Sequence, residues 1–587
     1  MCGIVGYIGK KHPKDVLLNG LKNLEYRGYD SSGIAIKNNE SIQIIKSVGK
    51  ISNLEDKVNQ ENLIDANMGI AHTRWATHGE VNEINAHPHR ANKVTLVHNG
   101  IIENAGLIRD KLTNLGINFY GNTDTEVACA LISYYYDLEN NIFHAIEKTL
   151  NEITGSYAFA IMVDGDENLY AVRKDSPLIV GIGEDGYYIA SDISAIIEYT
   201  NKYILLEEKE IAILSTDNYG IIFNGEKISK NILEADISAE SRDKMDYEHY
   251  MLKEMMEQPT VLENTLKPYL NDINLLPDLS VYEEIHIIGC GSAMYAGMIG
   301  KALMEEKANL KVDCFVASEY RYNKINYNRK TLVVLISQSG ETADTIAALR
   351  KAKENKIDTL AIVNVKTSTI ARESEKQIFI EAGPEIAVAT TKAYLLQVAI
   401  LSLLAYRASG EEDKNILEEI KSLPMLLKEV LDRKDVYIKV AKDIYNNNDI
   451  YFIGRKIDYS ICLEGCLKLK EISYIHSEAY QAGELKHGSI ALIDNGTPVI
   501  AIVTDDSIKD KTISNIEEVK SRGAKVIVIA NENIDGYDYL ITVKKLNAFA
   551  QPILIVPILQ YIAYEIAKLR DCDIDKPKNL AKSVTVE

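Results

Sequence analysis

The sequence predicts a multidomain protein, a layered α+β domain followed by two α/β units built on parallel sheets. Three observations carry this expectation. The chain has 587 residues, more than a single hydrophobic core usually serves. Its texture changes around residues 234–248, from short strands with turn punctuation to a strand–loop–helix alternation. Finally, the second half repeats itself: His286-Ile287-Ile288-Gly289 and Tyr451-Phe452-Ile453-Gly454 each lead into a helix. In each half a second apolar strand follows (332–336, 499–503) and then a third (359–363, 525–529), as expected of two copies of one nucleotide-fold-like unit.

Within the first 235 residues, strands are predicted at 94–98, 157–163 and 186–190, with helical periodicity at 16–24 and 124–136 and two or three helices in all. The charged stretch 236–248 has little apolar pattern and is expected to be a linker. The α/β units are expected at 275–415 and 440–577, and 578–587 reads as an extended, polar tail. The most apolar helix is placed at 393–406, too short to span a bilayer.

A net charge of −20 argues against nucleic acid or an anionic membrane as the main partner. Seven scattered cysteines, an odd number, form no disulfide framework and predict a reducing, cytoplasmic setting. Cys462 and Cys466 stand at helical spacing and are expected to be core packing. No charged n-region and long apolar stretch precede Cys2, so a soluble protein without a secretory signal is expected.

The chain opens Met1-Cys2-Gly3-Ile4-Val5-Gly6. Removal of Met1, which a small second residue permits, leaves a cysteine whose thiol and free α-amino group share one residue. A thiol with pKa about 8.5 needs a base, and an α-amino group at about 7.7–8.0 is poised to act as one. Four clusters accompany it: 26–31, beginning Tyr26-Arg27-Gly28; 72–79, with Arg74, Trp75, Thr77 and His78; His98-Asn99-Gly100; and 121–126. Arg74 can grip an α-carboxylate bidentately, and Asp124 can hold an α-ammonium. The Asn99 amide and the Gly100 backbone N–H can form an oxyanion hole. Each cluster also has an ordinary reading, Asp124 as a helix cap and Asn99-Gly100 as a hairpin turn. Five of the eleven histidines (His72, His78, His87, His89, His98) lie in this region, but their spacing matches no metal-binding helix pattern, and no metal is expected.

Together, in this order, these clusters resemble the glutaminase domain of class II (N-terminal-nucleophile) glutamine amidotransferases over about the first 215 residues. The resemblance implies an Ntn-hydrolase-type layered αββα domain that hydrolyses glutamine to glutamate and ammonia. Cys2 would be the nucleophile, with Asn99 and Gly100 at the oxyanion and Arg74, Thr77, His78, Gly100, Asp124 and Arg27 around the glutamine.

In the second half, strand 331–336 runs into Ser337-Gln338-Ser339-Gly340-Glu341-Thr342 and then a helix. Hydroxyls and backbone N–H groups at a helix N-terminus make a phosphate cradle. The loop lacks the lysine and spacing of an ATP-binding P-loop. Three hydroxyls exceed what capping needs. A second polar loop containing Val388, Thr390 and Thr391 can close on the same ligand.

This half resembles the SIS (sugar isomerase) fold, with 337–342 as its phosphate signature. A glutaminase followed by two SIS units, closing on 579–587, is similar to the amidotransferases that make glucosamine 6-phosphate from fructose 6-phosphate and glutamine, the entry step of amino-sugar biosynthesis. That resemblance implies no cofactor and, as the expected assembly, a homodimer. It also implies roles for Lys582 (Schiff base with the opened ketose), Glu471 (base for proton transfer), His487 (ring opening) and Lys468 (stabilising the enolamine), with Ser292 on the phosphate and Trp75 gating a dry ammonia passage. On the residues alone, Lys468 and Glu471 read as a surface ion pair. One departure stands out: the family usually has Cys-Gly-Thr-Ser at the first phosphate loop, and this chain has Cys290-Gly291-Ser292-Ala293. A lost hydrogen bond to a charged group costs about 1.5–3 kcal/mol, so weaker phosphate binding is expected. Other class II amidotransferases, such as phosphoribosyl-amine or asparagine synthetases, need diphosphate- or ATP-binding motifs that this half does not show. A non-catalytic sugar-phosphate sensor would not need Glu471, His487 and Lys582.

Overall fold

The computed structural model describes residues 2–38, 41–76, 79–235, 244–327 and 330–585. It divides into two compact units, Met1–Asp243 together with Ala581–Glu587, and Lys244–Leu580.

The first unit stacks two antiparallel sheets of eight and seven strands. Strand Gly3–Gly9 lies inside the larger sheet, between Gly186–Ala190 and Met68–Arg74. Its side chains alternate as the strand period of two requires. Ile4 and Ile8 face the second sheet, where they meet Ala158, Ala160 and Met162. Val5 and Tyr7 face outward, against helices Lys14–Leu24 and Ile51–Gln60. Strand Gly155–Val163 mirrors this, with Tyr157, Phe159 and Ile161 turned toward helices Asp124–Glu139 and Ile142–Glu152. Both faces of each sheet are therefore buried, one against the other sheet and one against helices; each fully buried Ile, Leu or Phe contributes about 1.5–3 kcal/mol. The result is the expected αββα layering, with five helices among the described residues rather than two or three. The unforeseen helices Ile51–Gln60 and Ala105–Asn114 bury only three and two side chains, too few to show as a periodic stripe.

The second unit carries two five-stranded parallel sheets. In each, the first strand (Glu284–Gly289 or Asp449–Gly454) lies between the second and the third, the flavodoxin-like order 2-1-3-4-5. All six predicted repeat strands are present. The sheets share one large core with helices Tyr250–Asn271, Ser292–Ala308, Lys392–Ser409, Ile457–Ser473 and Gln551–Leu569. Helix Tyr250–Asn271 follows the linker directly and was hidden by its internal Pro259 and Pro268. Of the linker, 236–243 lie outside the described residues. Among the described residues Gln551–Leu569, not 393–406, is the helix long and apolar enough to cross a membrane; 83% of its apolar window is buried within the unit, as in a core helix.

The crevice at the carboxyl ends of strands one and three is where such sheets bind ligands. Here it receives Cys290-Gly291-Ser292 from Glu284–Gly289 and the hydroxyl loop from Thr331–Ser337.

Candidate active sites

Strand register places Cys2. Gly3 pairs with Thr73, so Cys2 lies beside the end of strand Met68–Arg74 and the residue that follows it. The Trp75 backbone N–H donates to Cys2 Sγ at 3.3 Å. From the second sheet, strand Val94–Ile102 carries Asn99, whose Nδ2 donates to the Cys2 carbonyl at 3.2 Å. Asn99-Gly100 is therefore mid-strand, not a hairpin turn. Gly100 has φ +133°, and a Cβ there would lie 2.1 Å from the Ser156 carbonyl oxygen, so only glycine fits.

Helix Asp124–Glu139 is capped by Thr123, whose hydroxyl accepts from Glu126 N, which frees Asp124 from the capping role. The Asp124 carboxylate is aimed by two backbone donors, Ile102 N–H and Thr125 N–H, each at 2.9 Å. Arg74 is braced by its own loop, donating to the Gly79 and Glu80 carbonyls at 3.2 Å. Cys2, Arg74, Trp75, His87, His98, Gly100 and Asp124 line one small cavity. Burial pushes the Cys2 thiol above its ordinary value, and the Trp75 N–H and Arg74 work against that rise. A thiol held up in this way needs a proton acceptor close by. Arg27 is not part of the cavity lining: it pairs with Asp192 and donates to Tyr26 Oη at 3.3 Å. Thr77 and His78 lie outside the described residues.

In the second unit the hydroxyl loop is folded onto itself. Ser337 Oγ meets Thr342 Oγ1 at 2.9 Å and accepts from Gly340 N at 3.0 Å; Ser339 Oγ accepts from Glu341 N at 3.2 Å. Gly340 has φ +65°, and a Cβ would lie 2.0 Å from Ser368 Oγ. No side chain caps helix Ala343–Glu354, because the Thr342 hydroxyl is turned to Ser337. The Gln338 carbonyl is held by Asn364 N.

Lys468 and Glu471 do not form a surface pair. Lys468 is fully buried, with Nζ 2.5 Å from Glu471 Oε2 and 3.4 Å from Glu464 Oε1. Burial alone would lower the Lys468 pKa, and the two carboxylates reverse this, holding the ammonium above its ordinary value. Burial pushes Glu464 up to about 7 against the pull of Lys468, and the Ser292 hydroxyl lies beside that carboxylate. Sequence reasoning missed Glu464. The signal was present, because Glu464, Lys468 and Glu471 follow i, i+4, i+7 along one face of the helix.

It also missed Glu385, which is buried, accepts from Thr390 Oγ1 at 2.7 Å and caps helix Lys392–Ser409 through Thr391 N and Ala393 N. Val388 N donates to the Asp575 carbonyl at 3.0 Å. His487 is exposed at the end of the short turn Leu485–His487, and no hydrogen bond described above joins it to the Lys468 group. Lys582 falls in Ala581–Glu587, which groups with the first unit, so the second unit does not by itself bring it to Glu471.

Comparison with known proteins matches the SIS domain at residues 278–407 and 443–564 and a glutamine amidotransferase domain at 72–198. Over its full length the chain is 45% identical to glutamine–fructose-6-phosphate aminotransferase [isomerizing] of Clostridium acetobutylicum, covering all of both chains. The chain belongs to the glutamine–fructose-6-phosphate aminotransferase (isomerizing) family. A second member, from Caldanaerobacter subterraneus, is also 45% identical with full coverage of both chains. Among solved structures, the C-terminal domain of the Francisella tularensis glucosamine-fructose-6-phosphate aminotransferase is 35% identical, with TM-score 0.55, covering 57% of this chain and 99% of that one. Membership in this aminotransferase family accounts for the pairing of a cysteine-headed αββα unit with a doubled parallel-sheet unit.

Proposed function

We propose that the chain transfers the amide nitrogen of glutamine to fructose 6-phosphate, isomerising the ketose and releasing glucosamine 6-phosphate and glutamate. The observation that carries the amidotransferase half is the seating of Cys2 Sγ under the Trp75 N–H beside Asn99 and Gly100. With Met1 removed, the α-amino group takes the thiol proton and Sγ attacks the side-chain carbonyl. Negative charge develops on that oxygen between the Asn99 Nδ2 and Gly100 N–H donors. Collapse breaks the C–N bond as the α-ammonium protonates the leaving nitrogen, and water then cleaves the thioester to glutamate. Arg74 and Asp124 bind the amino-acid end, with Arg27, Thr77 and His78 completing the reading taken from the family.

In the sugar half, Ser292, Ser337, Gln338, Ser339 and Thr342 hold the phosphate, with Val388 and Thr390 around the sugar. His487 assists ring opening, Lys582 forms the Schiff base, and Glu471 moves the proton from C1 to C2. Lys468 supplies a positive charge next to Glu471, which stabilises the negative charge that develops on the enolamine. Trp75 gates ammonia, and a cytoplasmic homodimer completes the reading; the free cysteines agree with a reducing compartment.

Incubation with glutamine and fructose 6-phosphate should yield glutamate and glucosamine 6-phosphate in equal amounts, and borohydride should trap the sugar on Lys582. Glutamate formed without amino sugar would reduce the reading to a glutaminase. A label on another lysine would remove Lys582 from it.

A further inference from the structure

Apart from His78, the histidine-rich stretch has no assigned role in this chemistry. The structure buries four of its rings, His72, His87, His89 and His98, close to Cys2 and Asn99. His72 and His87 stack with centroids 4.0 Å apart, and His87 meets His89 edge-on at 5.0 Å. His98 lies on the same strand as Asn99, with Nδ1 2.9 Å from Thr125 Oγ1. Burial holds His72 down to about 3 and His87 and His89 well below the ordinary imidazole value, so these three rings are neutral donors and acceptors. They do not converge as metal ligands. Among the described residues the set that does is Glu284, His286 and Asp313 in the other unit, and there Glu284 is taken by Lys311 at 2.5 Å.

Two backbone carbonyls decide the hydrogen positions. His72 Nε2 lies 2.9 Å from the His98 carbonyl oxygen, which can only accept, so Nε2 carries the proton. The Asn99 side-chain atom 3.1 Å from the same Nε2 must then be its oxygen. At the other end, the Cys2 carbonyl must face the Asn99 nitrogen. The two assignments agree and leave a single orientation for the carboxamide. His72 Nδ1, which has no hydrogen-bond partner among the described residues, is then a bare lone pair, less costly to bury than an unpaired N–H.

We propose that His72 is a positioning residue: by donating Nε2–H to Asn99 Oδ1 it keeps the Asn99 amide N–H turned toward Cys2, where the oxyanion forms. This rests on the reading of Asn99 as an oxyanion donor. Without His72 the His98 carbonyl loses its donor, and a turned carboxamide would offer it Nδ2. That turn presents Oδ1 to the Cys2 carbonyl and the developing oxyanion, which replaces an attraction with a repulsion.

The test uses His72→Phe, which keeps a ring to stack on His87 but donates nothing, and His72→Gln, whose amide nitrogen can replace Nε2. Loss of an oxyanion donor typically costs about 10²–10³ in kcat, and a misoriented one somewhat less. His72→Phe is expected to lower glutaminase kcat by about 10–100-fold, with KM for glutamine within about twofold of the parent. His72→Gln should recover most of the lost rate at an unchanged melting temperature. The double variant His72→Phe/Asn99→Ala should be no slower than Asn99→Ala alone, because the two residues act on one step. Unchanged kcat in His72→Phe, equal loss in Phe and Gln variants, or losses that multiply in the double variant would each overturn the inference. An unimpaired Asn99→Ala would instead remove the oxyanion reading beneath it.

Discussion

Gly291 and Lys456 hold the same backbone conformation, φ/ψ of 54°/−127° and 51°/−123°, each at the turn between the first strand of its α/β unit and the following helix. The repeat is therefore kept in the backbone where the residue types differ. Such a conformation costs a non-glycine residue about 1–3 kcal/mol. In return Lys456 makes half-exposed ion pairs with Asp505 and Glu306 and donates to Ser507 Oγ, each at 3.3 Å. Exposed pairs of this kind contribute about 0–1 kcal/mol. Lys456→Gly is therefore expected to raise the calorimetric transition of the second unit by a few degrees. A fall would show that the ion pairs outweigh the strain.

Glu464 gives a pH signature. Its folded pKa, about 7, stands above the ordinary carboxyl value of 4.5, so the folded state keeps a proton that the unfolded state loses between those values. Stability from this group is complete below about pH 4.5 and is lost as pH rises toward 7. At about 1.36 kcal/mol per unit the loss is at most about 3 kcal/mol, reduced by coupling to Lys468. Glu464→Gln lacks this loss, so its stability relative to the parent should improve from pH 5 to pH 8 in denaturant titrations. A difference that is flat with pH would mean that Glu464 ionises normally.

The phosphate loop separates the two half-reactions. Ser337 Oγ ties Thr342 to Gly340, so Ser337→Ala removes a hydroxyl proposed to hold the phosphate and loosens the bend together. KM for fructose 6-phosphate is expected to rise about tenfold, the size of one hydrogen bond to a charged group, while glutamine hydrolysis measured without sugar stays unchanged. Equal loss of both activities would place Ser337 in the stability of the chain instead.

The parallel-sheet half was legible because buried parallel strands are short apolar runs that end at loops, and 332–336, 359–363, 499–503 and 525–529 all mark themselves in this way. The glutaminase motifs were legible as residue types, but their geometry was not. Asn99-Gly100 reads locally as a turn and becomes mid-strand only because a second sheet pairs Asn99 with Ala158. Lys468 reads as exposed because its neighbours Leu467, Leu469 and Lys470 give no sign that helix Ser292–Ala308 packs against the face that carries Glu464. His72 acts through a residue 27 positions away, a relation that spacing does not carry.

Trp75 offers Cys2 its backbone N–H and leaves its half-buried indole for another task. Trp75→Ala is expected to keep glutamine hydrolysis, since that N–H survives, and to raise the ratio of glutamate to glucosamine 6-phosphate above one, because ammonia released to water becomes largely ammonium, which is not nucleophilic. A ratio that stays at one-to-one would make the indole packing only.

The measurement that bears most directly on the account follows the amide nitrogen itself. Glutamine labelled at that nitrogen is supplied with fructose 6-phosphate to the parent chain, confirmed by mass to have lost Met1, and to Cys2→Ala. The account predicts one labelled glucosamine 6-phosphate per glutamate from the parent, and neither product from Cys2→Ala. Labelled amino sugar from Cys2→Ala, or unlabelled amino sugar from the parent, would contradict it.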